Sequence, residues 1–220
     1  LSGAGEINLS SGVNNDNNGT YDLTLQTGGD IVIDGDLGAT DALKNLAIGA
    51  NGTVEFTGNI STTEDIEIIA QGDDVGLIGK NKSGVLLSGS SVESVSGDIN
   101  IAALGAVANG TGVELDGGIK LDGQKIEIYG KGEGRGVYFE NDTTLTASDE
   151  IVVEGESTNS NTSYKNYEGV RLNGNSNFSA GTDLTINGTT PAGNAVSLQA
   201  NTTLTATNTL SIDASFTGSV

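Results

Sequence analysis

Four residue types are missing from this 220-residue chain: Cys, His, Met and Trp. Without Cys there is no disulfide framework and no thiolate metal site. Without His there is no Ser-His-Asp triad, no imidazole zinc ligand and no histidine base. Without Met, position 1 reads as the start of an excised or processed piece of a longer protein. Pro appears once, at Pro191, and aromatic residues make up 4%. Long apolar runs are lacking too: no stretch of 18 apolar residues exists, so membrane insertion is not expected. Leu1-Ser2-Gly3-Ala4-Gly5 has no basic n-region and no apolar h-region, so it does not read as a signal peptide.

Positive charge is the next scarcity. Nine Lys and Arg stand against 29 Asp and Glu, a net charge of −20. Nucleic-acid binding needs cations to neutralise phosphates, so no nucleic-acid partner is expected. A solubilising charge on a long secreted rod accounts for the balance; a cation-rich setting is the sharper alternative. What the chain does have is 34 Gly, abundant Asn, Ser and Thr, and 35% apolar residues. Those apolar residues come in short alternating β-branched runs, which argues against disorder.

The runs repeat. From about residue 80, three patterns recur in fixed order. The first is Gly-Val-x-Leu, at Gly84, Gly112, Gly136 and Gly169, with a variant at Ala195; its steps are 28, 24, 33 and 26. The second is an apolar-x-apolar pair: Ile119 and Leu121, Leu145 and Ala147, Phe178 and Ala180, Leu204 and Ala206. The third is an Ile-x-Ile pair, often preceded by Asp. It starts at Ile66, Ile99, Ile126, Ile151, Leu184 and Leu210, in steps of 33, 27, 25, 33 and 26. In the first third of the chain, Leu23/Leu25 and Ile31/Ile33 recur after 23 residues as Leu46/Ile48 and Val54/Phe56. Residues 1–70 and 80–220 thus read as one β-helix segment with slightly different coil types.

Each pattern has period 2, the signature of a half-buried strand. Strands this short bury little in an ordinary sandwich, whereas stacked coils turn them into continuous ladders. The expected fold is all-β: a right-handed parallel β-helix, a solenoid of about eight three-strand coils of roughly 23–33 residues, forming a rod of roughly 40 Å. Residues 39–48 are the nearest thing to a helix, with a strand at Leu46–Ile48 preferred. Gly and Asn are expected at corners that need φ > 0.

The 33-residue coils carry their extra length at one corner. Sixteen residues separate Ile68 from Val85, and sixteen separate Val153 from Val170, against 8 to 11 elsewhere. Loops 69–84 and 154–169 should therefore protrude from the same edge, three coils apart. The second holds Tyr164, Lys165 and Tyr167, and Tyr is a good contact residue for sugars and proteins. These three form the candidate contact loop; a tolerated insertion is the alternative.

The stretch Leu23-Thr-Leu-Gln-Thr-Gly-Gly-Asp-Ile-Val-Ile-Asp-Gly, echoed from Leu46 to Gly58, resembles the repeats of filamentous-haemagglutinin-like exoproteins. The later rhythm, Gly169-Val-Arg-Leu-Asn-Gly through Asp183-Leu-Thr-Ile-Asn-Gly, resembles the high-molecular-weight adhesins of the same two-partner secretion class. The resemblance covers most of the chain. It implies a large secreted or surface-exposed bacterial protein, exported through an outer-membrane secretion pore. Its partners would be glycans or proteins of a host or neighbouring cell surface. The family's amino-terminal secretion domain carries Asn-Pro motifs that are missing here, which places the chain in the filament region.

Other chemistry is sparse. Eleven Asn-x-Ser/Thr sequons occur, Asn59, Asn141, Asn187 and Asn201 among them; turn chemistry explains them as well as glycosylation does. Asp30, Asp34 and Asp36 lack the spacing of a calcium loop. Gly130-Lys-Gly-Glu-Gly-Arg-Gly136 lacks the ending of a P-loop and reads as a corner loop. Acid pairs such as Glu154 and Glu156, or Glu133 and Glu140, suit polysaccharide hydrolysis in principle, but the chain has no Trp to stack on sugars. The expectation is a non-enzymatic stalk and contact surface, with no catalytic residue, metal or cofactor. A pure scaffold and a polysaccharide-degrading enzyme are the rivals.

Overall fold

The computed structural model describes residues 2–3, 5–14, 19–71, 83–89, 91–107, 110–160, 167–199 and 201–218. Every pairing between strands is parallel, and no helix occurs among these residues. The strands form three sheets of nine, eight and six members. The chain visits the first sheet, then the second, then the third, and returns to the first one coil further on. This is a parallel β-helix of eight coils, with the strand Thr209–Phe216 opening a ninth.

The sequence patterns map onto the sheets. The Ile-x-Ile pairs form the inner ladder of the first sheet, in register from Leu46 and Ile48 through Ile66 and Ile68 to Leu210 and Ile212. Leu23 and Leu25 pair with Leu46 and Ile48, so the early pairs belong to the same ladder. The Gly-Val-x-Leu strands form the second sheet, and Ile31/Ile33 and Val54/Phe56 lead into Val85 and Leu87 there. The helical alternative at 39–48 gives way to bends followed by the strand Leu46–Ala50.

The third sheet needs one correction. Ile119 and Leu121 are not the equivalents of Leu145 and Ala147. The register pairs Leu121 with Leu145 and Gly123 with Ala147. Ile119 lies two residues earlier and is buried beside the ladder, at the height of Thr143 and Ser176, which are also buried. The apolar pair pointed to the wrong rung because the true partner is a glycine. A Cβ at Gly123 would lie 3.1 Å from Ile99 Cγ1, so only a small residue fits there. Among the described residues of the first two coils this side carries isolated bridges, such as Val13 to Leu37 and Leu37 to Ile60, in place of a sheet.

The interior is one apolar column. Phe56, Phe139 and Phe178 are fully enclosed, with Phe139 and Phe178 edge to face at 4.9 Å between ring centroids. Stacking is what buries these side chains. Leu184 and Ile186 are 0% exposed, whereas Leu210 and Ile212, on the same ladder with no coil above, are 48% and 42% exposed. Fully burying a Leu or Ile contributes roughly 1.5–3 kcal/mol, so each added coil stabilises the one beneath it.

Asn and Asp tie the corners together, as their turn chemistry predicts. Before the first-sheet strands, Asn45 Nδ2 donates to Asp22 at 2.8 Å. The Asp65 N–H then donates to Asn45, the Asp98 N–H to Asp65 and the Lys125 N–H to Asp98, at 2.9, 3.0 and 3.2 Å. Each side chain thus accepts the backbone donor of the next coil, which is why Asp precedes so many Ile-x-Ile pairs.

Candidate functional site

The corner between the first and second sheets is where this rod departs from a regular stack. Its regular form is set by glycine. Gly130 and Gly155 lie in register with Gly188 on the first sheet, facing Gly136, Gly169 and Ala195 on the second. A Cβ at Gly155 would sit 2.0 Å from the Gly169 carbonyl oxygen, and one at Gly136 would sit 2.2 Å from the Glu156 nitrogen. At Gly130, Gly155 and Gly188 the two backbones touch, and a Cβ there has no room. The run Gly130–Gly136 is accordingly not a corner loop. Most of it is strand, in Ile126–Gly132 and Arg135–Phe139, and only Glu133 and Gly134 turn.

Both long insertions begin and end at this corner; their bodies, residues 72–82 and 161–166, lie outside the described residues, and the expected protrusion with them. One follows the strand Ile66–Ala70 and returns at Ser83–Ser88; the other follows Ile151–Ser157 and returns at Glu168–Leu172. The two departures are three coils apart on the first sheet. Of the candidate contact loop, Tyr164 and Lys165 lie outside the described residues. Tyr167 sits half-buried at the root of the insertion, its carbonyl accepting the Asn194 N–H at 3.1 Å.

The two insertions return into one column on the outer side of the second sheet: Ser83, Thr111, Arg135 and Glu168, in register, with Asn194 next above. A neighbouring column carries Glu114, Tyr138 and Arg171. Both arginines of the chain meet on one carboxylate. Arg135 Nε lies 3.2 Å and Arg171 Nη1 3.1 Å from Glu168 Oε2, and the Glu168 side chain is 3% exposed. Their guanidinium carbons stand 4.3 and 5.7 Å from the centre of the Tyr138 ring, within cation–π reach. Asn173 Nδ2 donates to the Tyr138 hydroxyl at 3.2 Å, and Arg171 Nη2 donates to Gln199 Oε1 at 3.2 Å.

Burial shapes the electrostatics of this face. It pushes the Glu114 carboxyl above the usual range; the hydroxyl of Ser83, which donates to Glu114, and the charge of Arg135 pull it back, while Glu140 and Asp116 add to the rise. Burial likewise raises the Tyr138 phenol. The cluster holds buried charge in place, and its groups are engaged with one another. It pins the strand that follows the second insertion.

This cluster escaped the sequence reading, although a signal for it exists. The residues before each Gly of Gly-Val-x-Leu are Ser83, Thr111, Arg135 and Glu168, and the x positions are Leu86, Glu114, Tyr138 and Arg171. Aligning the repeats on those columns sets Arg135 directly below Glu168.

Several of the other candidates are engaged in coil-to-coil contacts. Asp30 Oδ1 accepts the Thr53 N–H at 2.7 Å, and Asp36 Oδ1 accepts the Asn59 N–H at 2.7 Å, at opposite ends of the strand Ile31–Asp34. Asn59 in turn accepts the Ser91 N–H, Asn141 holds φ +62° while donating to Asp116, and Asn201 donates to Asn175. Of the acid pairs, Glu154 accepts from Asn187 at 3.0 Å and Glu156 pairs with Lys131 at 3.0 Å. No group of three acidic side chains placed to hold a metal ion occurs among the described residues.

Comparison with protein-family models, curated proteins and solved structures returned no match to this chain.

Proposed function

We propose that this chain is a non-enzymatic, rigid β-helical segment of a secreted or surface-exposed bacterial exoprotein, serving as stalk and as contact surface for another cell. One observation carries the reading. The first sheet runs unbroken through nine strands, and the two strands that precede the long insertions lie at the same corner, three coils apart. Such a geometry sets the starting points of the two insertions about 14 Å apart along a stiff axis. Loops on a rigid scaffold are where binding residues concentrate. The repeat resemblance to two-partner secretion adhesins supports the same reading. The engagement of Glu154 and Glu156 by Asn187 and Lys131 argues against their use as an acid–base pair.

The test is attachment of beads coated with the chain to epithelial cells and to bacterial cells, against albumin-coated beads. A second set carries a variant in which residues 159–166 are replaced by two glycines. Ser157 and Glu168 must be kept, because Ser157 is buried and bonded to Gly134, and Glu168 holds the arginines. The proposal expects attachment that falls severalfold in the variant. Attachment no better than albumin on every cell type would leave only the scaffold.

A further inference from the structure

A trough runs along the rod axis on the outer side of the first sheet, with a cavity volume of about 410 Å³. That lies within the range of small-molecule sites, roughly 300–1,000 Å³. Its origin is the glycine corner. Gly155 and Gly188 turn their missing side chains inward, so bare backbone makes the floor. The residues on either side point outward and stack in register. One wall is Glu154, Asn187 and Asp213; the other is Glu156, Thr189 and Ser215. Tyr129, in register below Glu154, closes one end.

We propose that this trough binds a sugar residue that carries no acid group. The inference rests on the contact-surface reading and gives it a location and a ligand class. Hydrogen-bonding capacity decides the class. The Asn187 amide already donates to Glu154, the Tyr129 hydroxyl to Glu156, and Lys131 is paired with Glu156. The acceptors left for a ligand are the second oxygen of Glu154 and Asp213, which takes one bond from Ser211; the Thr189 and Ser215 hydroxyls can give or accept. Carboxylates accept and do not donate, and hydroxyls do both, so this lining matches a ligand rich in donors, as sugar hydroxyl and amino groups are. Bonds from such donors to a carboxylate are charge-assisted and strong. The Tyr129 ring offers an apolar surface at the closed end, with its polar tip held. An acidic sugar meets three carboxylates here and a net charge of −20 overall.

Biolayer interferometry of the whole chain tests this with three tetramers: N-acetylglucosamine, glucosamine and galacturonic acid. The expected result is saturable binding of the first or the second and none of the third. Tyr129→Ala and Asp213→Asn each weaken that binding at least tenfold, while Asn177→Ala, on the third sheet, leaves it unchanged. Thermal midpoints within a few degrees of the wild type show that the variants fold. Three results overturn the proposal: no binding of either non-acidic tetramer, a preference for galacturonate, or full binding by both trough variants. If beads still attach to cells in any of these cases, the trough fails alone and the contact surface stands. Tetramer binding in the trough without cell attachment fails the adhesive reading instead.

Discussion

Gly155 shows how little freedom single residues have in this rod. Its φ lies outside the left-handed region, so its conformation does not demand glycine; the 2.0 Å approach to the Gly169 carbonyl does. Gly155→Ala forces the first and second sheets apart at their corner, and overpacking of this kind costs about 1–3 kcal/mol. Gly5, with open space where a Cβ would go, is the control, and Gly5→Ala should stay within about 0.5 kcal/mol. Urea titrations of both variants check the contrast. Glu114 makes a different demand. Its carboxyl is raised, chiefly by burial, so the folded state favours the protonated form. The stability this brings is fully present below the ordinary carboxylate range and is lost as pH rises through the raised pKa. Glu114→Gln keeps an acceptor for Ser83 and removes the charge. Melting curves from pH 4 to pH 8 should show the variant gaining on the wild type as pH rises, whereas a constant gap would exclude the charge as the cause.

At the scale of strands and corners, the cluster on Glu168 pins the second long insertion. Glu168→Ala leaves two largely covered guanidiniums without their carboxylate, a loss of about 3 kcal/mol where a buried pair is broken. Changing Arg135, Arg171 and Glu168 together to Gln should cost less than Glu168→Ala alone, because no unpaired charge remains. Chemical denaturation of the two variants measures the difference. These elements also mark what was legible in the sequence. The inner ladders of the first two sheets were readable, because inward Ile, Val and Leu repeat with period 2 and register follows from them. The third sheet was misread at Ile119, where an apolar residue stands near a rung that a glycine fills. The outer face was hardest to read. Outward positions carry no apolar signal, so the meeting of Arg135, Tyr138 and Arg171 around Glu168 emerges only when the coils are superimposed. The trough was illegible for the same reason: its lining comes from outward residues on coils up to 86 positions apart, Tyr129 and Ser215 being the extremes.

For the whole molecule, the claim that supports every other is that distant segments stack in parallel at one coil per step. Thr24, Glu67 and Ser211 occupy one outward column of the first sheet, linked through Ala47, Asn100, Glu127, Val152 and Thr185. Seven steps separate Thr24 from Ser211, and five separate Glu67 from Ser211. The chain has no Cys, so two introduced cysteines carry spin labels without competition. Pulsed dipolar spectroscopy on the Thr24→Cys/Ser211→Cys and Glu67→Cys/Ser211→Cys pairs should give single distances of about 34 and about 24 Å, the product of step number and a spacing of about 4.8 Å. Equal distances for the two pairs, or broad distributions in both, would contradict the stacked helix and everything placed upon it.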